Sequence, residues 1–462
     1  MSKKYQMDMC SGPVLKKMLL FSLPLMASGV LQLLFNAADV IVVGRFAGDT
    51  SMGAVGSTSS LINLFTNLFV GLSVGINVIV ARAHGAGDYN KLHDSVHTAM
   101  TVSVISGAIL AVLGFILAPE LMEMMNATEA QLPLAVLYLR IYFLGMPAAM
   151  VYNFGAAILR AVGDTKRPLY FLTTAGAVNV VLNLIFVILL KMDVAGVALA
   201  TVISQLISAG LVVLCLIKDD TAIHLNLKEL KIKSKILLSF FRIGLPAGFQ
   251  GMIFSLSNVV IQSSVNLFGD IVISGNSAAA SIEGFVYMAM NTFYQAAISF
   301  AGQNVGAGKY ERIHKILFNA LLCVTVTGLV VGWAAYLLGR PLLGIYSETS
   351  EVVDAGMVRL SIICTTYALC GMMDVMVGML RGLGYAIMPM IVSLLGACGL
   401  RILWIATVFQ IPQYHYVDTV YISYPITWGM TLLAHITCFA VIWRKIKKQH
   451  LDCFTEKTKK AV

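Results

Sequence analysis

The chain has 462 residues, of which 58% are hydrophobic and only 12% are charged, and its mean hydropathy is +0.83. Soluble globular proteins carry about 25% charged residues, so this composition excludes an ordinary soluble protein and indicates a chain surrounded mainly by lipid. The net charge of +9 is explained by membrane topology and anionic lipid, and we expect no nucleic-acid partner.

Apolar stretches of about 20 residues, long enough to cross a bilayer as helices, recur along the whole chain. None of them alternates with a period of two, which disfavours an outer-membrane β-barrel. The sequence therefore predicts an all-α membrane protein of twelve transmembrane helices. The predicted spans are 18–43, 55–80, 95–118, 132–158, 168–190, 194–217, 236–264, 272–302, 316–338, 355–380, 386–410 and 420–443.

Basic residues are distributed unequally between the two sets of loops. Most of the 32 Lys and Arg fall in the loops on the side of the N-terminus, which the positive-inside rule assigns to the cytoplasm. Both termini are then cytoplasmic. The first apolar run lacks a small-residue cleavage site and is interpreted as the first helix. We expect a monomer in the cytoplasmic membrane of a prokaryote.

The two halves of the chain repeat each other. Residues 85–93 recur as 306–314 at an offset of 221, and the same offset carries Leu159-Arg160 onto Leu380-Arg381. Each copy holds six spans, an even number, so both copies enter the membrane in the same sense. This pattern predicts two six-helix lobes related by a pseudo-two-fold axis along the membrane normal.

Composition places the boundaries of these lobes. The predicted N-terminal lobe is 1–217, the polar, Lys-rich segment 218–235 is a cytoplasmic linker, and the C-terminal lobe with a basic cytoplasmic tail is 236–462. Transporters with parallel repeats place substrate between the lobes and alternate its access by rocking one lobe against the other. A channel is an alternative, separable by whether flux saturates and requires a gradient.

Short motifs in a fixed order make the prediction more specific. They are Leu23-Pro24 and Ala38-Asp39-Val40-Ile41-Val42-Val43-Gly44 in span 1, Ala86-Gly87-Asp88 after span 2, Leu159-Arg160-Ala161-Val162-Gly163-Asp164-Thr165-Lys166 after span 4, Asn179-Val180-Val181-Leu182-Asn183 in span 5, Ala200-Thr201 in span 6 and Gly302-Gln303-Asn304-Val305-Gly306-Ala307-Gly308 after span 8. With these motifs the chain resembles the multidrug and toxic compound extrusion (MATE) transporters over nearly its whole length.

The resemblance implies export of organic, often cationic, compounds driven by a sodium or proton gradient, with no cofactor. The chain contains no GxxxxGK[ST] loop for ATP. It also contains no HExxH and no paired His–Asp set in any span. Its one GxSxG match, Gly71-Leu72-Ser73-Val74-Gly75, lies inside the apolar span 55–80 and lacks the strand-to-helix turn that a nucleophilic serine needs, so no enzyme is predicted.

In the family pattern the acid of the first helix belongs to the cation-coupling site. The resemblance assigns that role to Asp39, with Asn179, Asn183 and Thr201 as polar partners. The two asparagines are four residues apart on one helical face, and Asn36 shares a face with Asp39. Carboxylate, amide and hydroxyl oxygens suit a small hard cation such as Na⁺, or a proton–water network.

This sequence departs from the pattern at one position, because many relatives carry a second Asp where this chain has Asn183. The choice between H⁺ and Na⁺ as coupling ion therefore stays open. An alternative for Asp39 is a purely structural salt bridge with Arg140.

The second half carries two further acids inside spans. Glu283 is predicted to line the substrate cavity as the counter-charge for a cation, or else to be a buried, protonated carboxyl group. Asp374 is predicted to form a structural ion pair with Arg401.

Apolar and kinked positions complete the predicted machinery. Tyr152, Met252 and Met288 are predicted to contribute to a pliable cavity, with ordinary helix packing as the alternative for each. Pro24 and Pro246 each remove a helical hydrogen bond and are predicted hinges.

The predicted function is an antiporter that exports small organic, mainly cationic, compounds in exchange for H⁺ or Na⁺. A lipid-linked oligosaccharide flippase of the same superfamily is the alternative. A flippase needs several cationic groups in its cavity to hold a diphosphate. Here the groups deep inside the spans are more acidic than basic, which favours a cationic or neutral substrate.

Overall fold

The backbone is helical nearly throughout, as expected for a chain whose amides and carbonyls cannot bond to water in lipid. The structure is a computed structural model that describes residues 5–125 and 128–459; the last three residues of the predicted basic tail lie outside this part. In chain order the α-helices are α1 (Val14–Phe46), α2 (Asp49–Gly85), α3 (Tyr89–Met124), α4 (Leu132–Leu144), α5 (Met146–Ala161), α6 (Lys166–Asn183), α7 (Asp193–Ile217), α8 (Ser234–Val265), α9 (Asp270–Gly306), α10 (Ile313–Leu337), α11 (Gly339–Gly344), α12 (Ser350–Thr366), α13 (Ala368–Gly382), α14 (Ile387–Ser393), α15 (Leu400–Ala406) and α16 (Val417–Lys459).

The helices account for all of the predicted spans. Within the described residues, nine helical segments are long and apolar enough to cross a membrane, and two bent helix pairs bring the number to eleven. The remaining predicted span, 272–302, lies in α9, which has 37 residues. Its polar side chains, such as Asn276 and Glu283, are buried in the protein, which is how a less apolar helix is tolerated in a membrane.

The fourth span of each half is broken. Helices α4 and α5 are bent by 47° and helices α12 and α13 by 46°, whereas the sequence predicts single spans at both places. The first break falls at Gly145 and Pro147, where proline cannot donate a helical hydrogen bond. The second break, at Tyr367, has no proline beside it. The sequence indicates this break only through its position in the repeat, which is equivalent to that of the first break.

The fifth span of each half contains a π-helical stretch. Leu184–Leu189 extends α6, and Leu394–Gly399 joins α14 to α15. Such wide turns are frequent at functional sites, and the first of them begins directly after Asn183. The two stretches are not at equivalent positions of the repeat.

The predicted hinges lie inside unbroken helices. Pro24 is within α1 and Pro246 within α8, and neither helix is divided at its proline. The carbonyl oxygen of Pro24 accepts a hydrogen bond of 2.9 Å from the Ser28 hydroxyl. Their function as hinges therefore remains a prediction.

Two hydrophobic cores form, and each receives helix segments from both halves of the sequence. Phe240 and Ile243 of α8 belong to the core built mainly by the first half. Phe21 of α1 belongs to the other core, where its ring meets that of Phe300 edge-on at 5.9 Å. The first helix of each half thus ties the two halves together.

Glycines allow the halves to approach closely at one end of the bundle. This end holds the N-terminal segment, the linker and the C-terminal ends of α2 and α9, and we call it the linker side; the opposite end is the far side. A Cβ on Gly71 would lie 2.2 Å from the backbone nitrogen of Gly248, and one on Gly75 would lie 2.5 Å from the Phe240 carbonyl oxygen. No larger residue fits at this crossing of α2 and α8.

Candidate functional site

Three helices of the first half bring the predicted coupling residues together. Asn183 of α6 donates to the carboxylate of Asp39 of α1 and, over 3.3 Å, to Asn179 Oδ1. Asn179 donates in turn to the hydroxyl of Thr201 of α7 over 3.5 Å. Asn183 and Asn179 are buried, so the group forms a polar site inside an apolar helix cluster.

One oxygen of this site is unused. Asn183 Oδ1 is buried and has no hydrogen-bond partner in the part of the chain that the structure describes, and an unpaired buried acceptor costs about 1–3 kcal/mol. It belongs to the residue that contacts the Asp39 carboxylate. A carboxylate with amide and hydroxyl oxygens is a donor set that fits Na⁺, and a protonated carboxyl group could also donate to the free oxygen.

Two residues considered with Asp39 lie outside the site. Asn36 is exposed, and no hydrogen bond joins it to the four coupling residues within the described chain. Arg140 donates to the Phe115 carbonyl oxygen over 3.3 Å and lies over the Phe115 ring at 5.1 Å. The alternative salt bridge between Asp39 and Arg140 is therefore wrong, because Arg140 contacts α3 instead.

Two tyrosines near Asp39 were not predicted as part of its surroundings. Tyr138 and Tyr142 of α4 lie beside the carboxyl group, and their rings stack at 6.0 Å. Their spacing of four residues places both tyrosines on one helical face. The sequence does not show, however, that this face lies beside Asp39.

Glu283 is not a free counter-charge. Its two carboxylate oxygens accept hydrogen bonds of 2.7 Å each from Arg359 of α12, and Arg359 donates a further bond of 2.6 Å to Asn276. Both charged residues are buried. The prediction of a cation-binding acid is contradicted, because an arginine of the same half already neutralises it. Arg359 inside a predicted span was the missed signal, since a buried charge needs a partner.

The predicted pair of Asp374 and Arg401 is also wrong. The Arg401 guanidinium stacks on the Tyr424 ring at 3.8 Å and donates to Thr427 over 3.1 Å. Asp374 instead faces the hydroxyl of Tyr287. Aromatic faces stabilise a desolvated guanidinium, so α16 provides the contacts that the sequence assigned to an acid.

The predicted cavity residues do not converge on one point. Tyr152 donates to the Pro168 carbonyl oxygen over 3.1 Å and packs against the first core. Met288 packs against Gly29 of α1, between the two halves, and Met252 is half-buried in α8. A shared substrate cavity for these residues remains a prediction.

The charge balance inside the helices differs from the prediction. Arg359, Arg381 and Arg401 are buried, and Arg160 is half-buried in the last turn of α5. Arg160 and Arg381 lie just beyond the predicted spans 132–158 and 355–380, so the sequence places both in cytoplasmic loops. With these arginines counted, acids no longer dominate the interior, and the argument for a cationic substrate loses that support.

The linker packs against the first half through a His–Glu cluster. Ligand atoms of His93, His97 and Glu229 lie within 4.8 Å of one another. However, His97 Nδ1 lies 2.8 Å from the His93 carbonyl oxygen, and His97 Nε2 accepts the Asn226 N–H over 3.0 Å. Both ring nitrogens of His97 are therefore in use, and the cluster holds the linker on α3.

An ionic contact adds to this attachment of the linker. Arg167 contacts Asp164 and lies 3.1 Å from Asp219. Burial raises the pKa of Asp164, and the adjacent Arg167 opposes that rise only in part.

Residues 5–12 cross the linker side and contact both halves; we call them the N-terminal strap. The Met9 N–H donates to Gln303 over 3.2 Å, and Asn304 donates to the Met9 carbonyl over 3.0 Å. Gln6 donates to Thr221 of the linker over 3.0 Å. Although burial raises the pKa of Asp8 in the strap, hydrogen bonds from Ser11 and the Cys10 N–H and the charge of Lys17 outweigh it and lower the pKa overall.

Comparison with known protein families shows which family has this architecture. The MatE family model matches the chain twice, at residues 24–185 and 246–407. The chain belongs to the MatE family. The resemblance inferred from the motifs is confirmed, and the second match corresponds to the internal repeat.

Curated relatives cover almost the whole chain. It is 25% identical over 441 residues to the probable multidrug resistance protein YoeA of Bacillus subtilis, covering 94% of this chain and 95% of that protein. It is 28% identical over 394 residues to the probable multidrug resistance protein YpnP of the same organism, covering 85% and 88%.

Solved structures of similar proteins confirm the fold. A crystal structure of MATE in complex with MaL6 superposes with a TM-score of 0.89 at 22% identity, covering 95% of this chain and 98% of that one. An outward-facing multidrug resistance MATE family transporter gives the same score, identity and coverage. The chain is thus a multi-pass membrane protein with the predicted twelve-helix, two-lobe fold.

Proposed function

We propose that this protein is a secondary active exporter of small organic compounds, an antiporter driven by H⁺ or Na⁺. The observation that carries the proposal is the hydrogen-bonded site of Asp39, Asn183, Asn179 and Thr201, in which Asn183 Oδ1 finds no partner among the described residues. A carboxylate inside a membrane is costly, and that of Asp39, which is half-buried, is placed where a cation or proton can compensate it. The names of the relatives support multidrug efflux.

The coupling step follows from the contacts of Asp39. When a cation enters, it takes the Asp39 carboxylate and the free oxygen of Asn183 as ligands. When a proton enters instead, the Asp39 carboxyl group can donate to that oxygen. In both cases binding stabilises the arrangement of α1, α6 and α7 in which the site is closed.

Helix α1 connects the coupling site to the interface of the lobes. Its far-side half carries Asp39, whereas Phe21 packs on Phe300 of the other lobe and Gly29 packs on Met288. A change in the position of α1 on cation binding therefore alters the contacts between the lobes. This is a direct physical link between the coupling ion and alternating access.

The orientation of the protein completes the cycle. With the linker side in the cytoplasm, as the basic loops favour, the close glycine contacts of α2 and α8 seal the cytoplasmic end. In the proposed cycle, a conformation closed at this end is the outward-facing state. The lobes, 1–217 and 236–462, are the moving units, and the linker 218–235 joins them.

A flippase for lipid-linked oligosaccharides is less well supported. Arg359, Arg381 and Arg401 are engaged with protein groups. The buried arginines therefore do not form the free cationic cluster that a diphosphate requires.

Transport in proteoliposomes tests this proposal. Purified protein is reconstituted with a fluorescent organic dye, and dye movement is followed with no gradient, with a Na⁺ gradient and with a proton gradient. We expect saturable movement that requires one of the two gradients. Flux that rises linearly with dye concentration and needs no gradient would indicate a channel instead.

A further inference from the structure

Arg160 has a positive charge that the protein leaves unused. It lies in the last turn of α5, beside Tyr152, and is half-buried. Its Nε is buried without a hydrogen-bond partner, and no hydrogen bond or ion pair reaches its guanidinium from the described residues. An ionisable group placed inside a membrane protein at such cost indicates a functional site.

The internal repeat provides a matched comparison. Arg381 is the equivalent of Arg160 in the second half, and there both terminal nitrogens of the guanidinium are bonded, while Nε finds no partner among the described residues. It donates to the Tyr294 hydroxyl and, over 2.8 Å, to Gln250 Oε1. The same arginine at the same place in the fold is thus held by protein groups in one lobe only.

The reason is that serines replace both partners in the first lobe. By the repeat, Tyr294 corresponds to Ser73 at the offset of 221. In the first helix of each half the offset is 222, because Leu23-Pro24 matches Leu245-Pro246, and there Gln250 corresponds to Ser28. The Ser73 hydroxyl donates to the Val70 carbonyl oxygen over 2.6 Å, and that of Ser28 donates to Pro24 over 2.9 Å. Both serines are bonded to their own helices, and within the described residues neither is bonded to Arg160.

No acidic group among the described residues forms an ion pair with Arg160 either. Asp164, four residues along the chain, is held by Arg167, and Asp219 is held by the same arginine. Asp39 is engaged with Asn183 on the far-side half of α1. A guanidinium that presents its donors to no protein acceptor is suited to the oxygens of an anion, which it can bind in bidentate fashion.

We propose that Arg160 binds an anionic group, a carboxylate in the simplest case, of the exported organic compound. The proposal rests on the proposed function and deepens it. The substrates of this protein then include zwitterionic or anionic amphipathic molecules, bound at the linker-side end of the N-terminal lobe. Arg160 is a specificity-determining residue that distinguishes an acid from its ester.

Two dyes with one chromophore test this assignment. Rhodamine B carries a free carboxylate, and its ethyl ester lacks it. Binding of each is measured by fluorescence polarisation, with the protein in nanodiscs of phosphatidylcholine, whose headgroups have no net charge. We expect wild type to bind the acid more tightly than the ester, and Arg160→Met to lose about 10- to 100-fold in affinity for the acid only.

Two further variants separate recognition from folding. Arg160→Lys keeps the charge without the planar fork, and we expect it to recover part of the affinity for the acid. Arg381→Met removes the equivalent arginine, whose partners are protein groups, so we expect lower thermal stability and an unchanged preference for the acid. Folding of each variant is checked by size-exclusion chromatography.

Three results would overturn the proposal: an equal loss of affinity of Arg160→Met for both dyes, an unchanged affinity for the acid, or a wild type that does not prefer the acid. Failure of the proposed function is distinguishable. In that case wild type would discriminate between the dyes in binding, yet would export neither from proteoliposomes under an imposed gradient.

Discussion

Arg82 and Gln303 occupy equivalent positions in the two repeats and make the same contact across the molecule. Arg82 Nη2 donates to the Gly382 carbonyl oxygen over 3.0 Å, and Gln303 Nε2 donates to the Ala161 carbonyl oxygen over 2.7 Å. Each acceptor is the last residue of the bent span in the opposite half. Two pseudo-symmetric bonds therefore close the linker side, and only Gln303 is bonded to the N-terminal strap as well.

Loss of the Gln303 contacts should open this end. Gln303→Ala removes the bond to Ala161 and the acceptor for the Met9 N–H, so the population of conformers open on the linker side should rise. Spin labels on the equivalent exposed residues Asn90 and Glu311 report the separation by electron–electron resonance.

The matched control is Gln410→Ala, which removes a glutamine bonded within the far side. We expect its distance distribution to match that of wild type. An unchanged distribution for Gln303→Ala would show that the bond does not hold the linker side closed.

The repeated glycine that ends α2, Gly85, should be intolerant of substitution. A Cβ at Gly85 would lie 2.0 Å from the Gln303 carbonyl oxygen, so Gly85→Ala must force α2 and α9 apart. Overpacking of this kind costs about 1–3 kcal/mol. We expect a lower melting temperature in detergent, whereas Gly210→Ala, with open space around its Cβ, should leave stability unchanged or raised. Equal melting temperatures for the two variants would contradict the close crossing.

The buried pair of Glu283 and Arg359 should behave as a unit. Glu283→Gln leaves the arginine buried without a charged partner, which costs about 3–5 kcal/mol. The double variant Glu283→Leu, Arg359→Met removes both charges and should recover most of that loss. Thermal unfolding of the two proteins measures the difference, and a stable single variant would show that the ion pair does not stabilise this lobe.

A second acid at position 183 should strengthen sodium binding. Asn183→Asp places another carboxylate beside Asp39, and its charge favours a hard cation. Equilibrium binding of ²²Na⁺ to the purified protein measures the effect, with Asn36→Asp as the control, since Asn36 is exposed and outside the site. If both variants bind Na⁺ equally, position 183 is not a ligand.

The sequence predicts most of the architecture because lipid and duplication constrain it strongly. Apolar spans of fixed length follow from bilayer thickness, and the repeat at a constant offset predicts two equivalent lobes. The motifs also indicate which residues meet, since Asp39, Asn183, Asn179 and Thr201 do form one site.

The ion pairs could not be predicted, because they depend on which faces of different helices meet. Arg359 and Arg401 are both single charges in apolar spans, yet one contacts an acid and the other an aromatic ring. Charge alone favours an acid in both cases, and only the packing of α16 against α15 determines the second. The bend at Tyr367 is similarly set by tertiary packing and not by a local residue.

The central claim is that Asp39 couples ion movement to export, and one variant tests it most directly. Asp39→Asn keeps the hydrogen-bonding shape but removes the charge and the titratable proton. In proteoliposomes with imposed Na⁺ or H⁺ gradients, we expect gradient-driven dye transport to fall to the level of protein-free liposomes, while Asn36→Ala transports as wild type does. Normal transport by Asp39→Asn under both gradients would contradict the account.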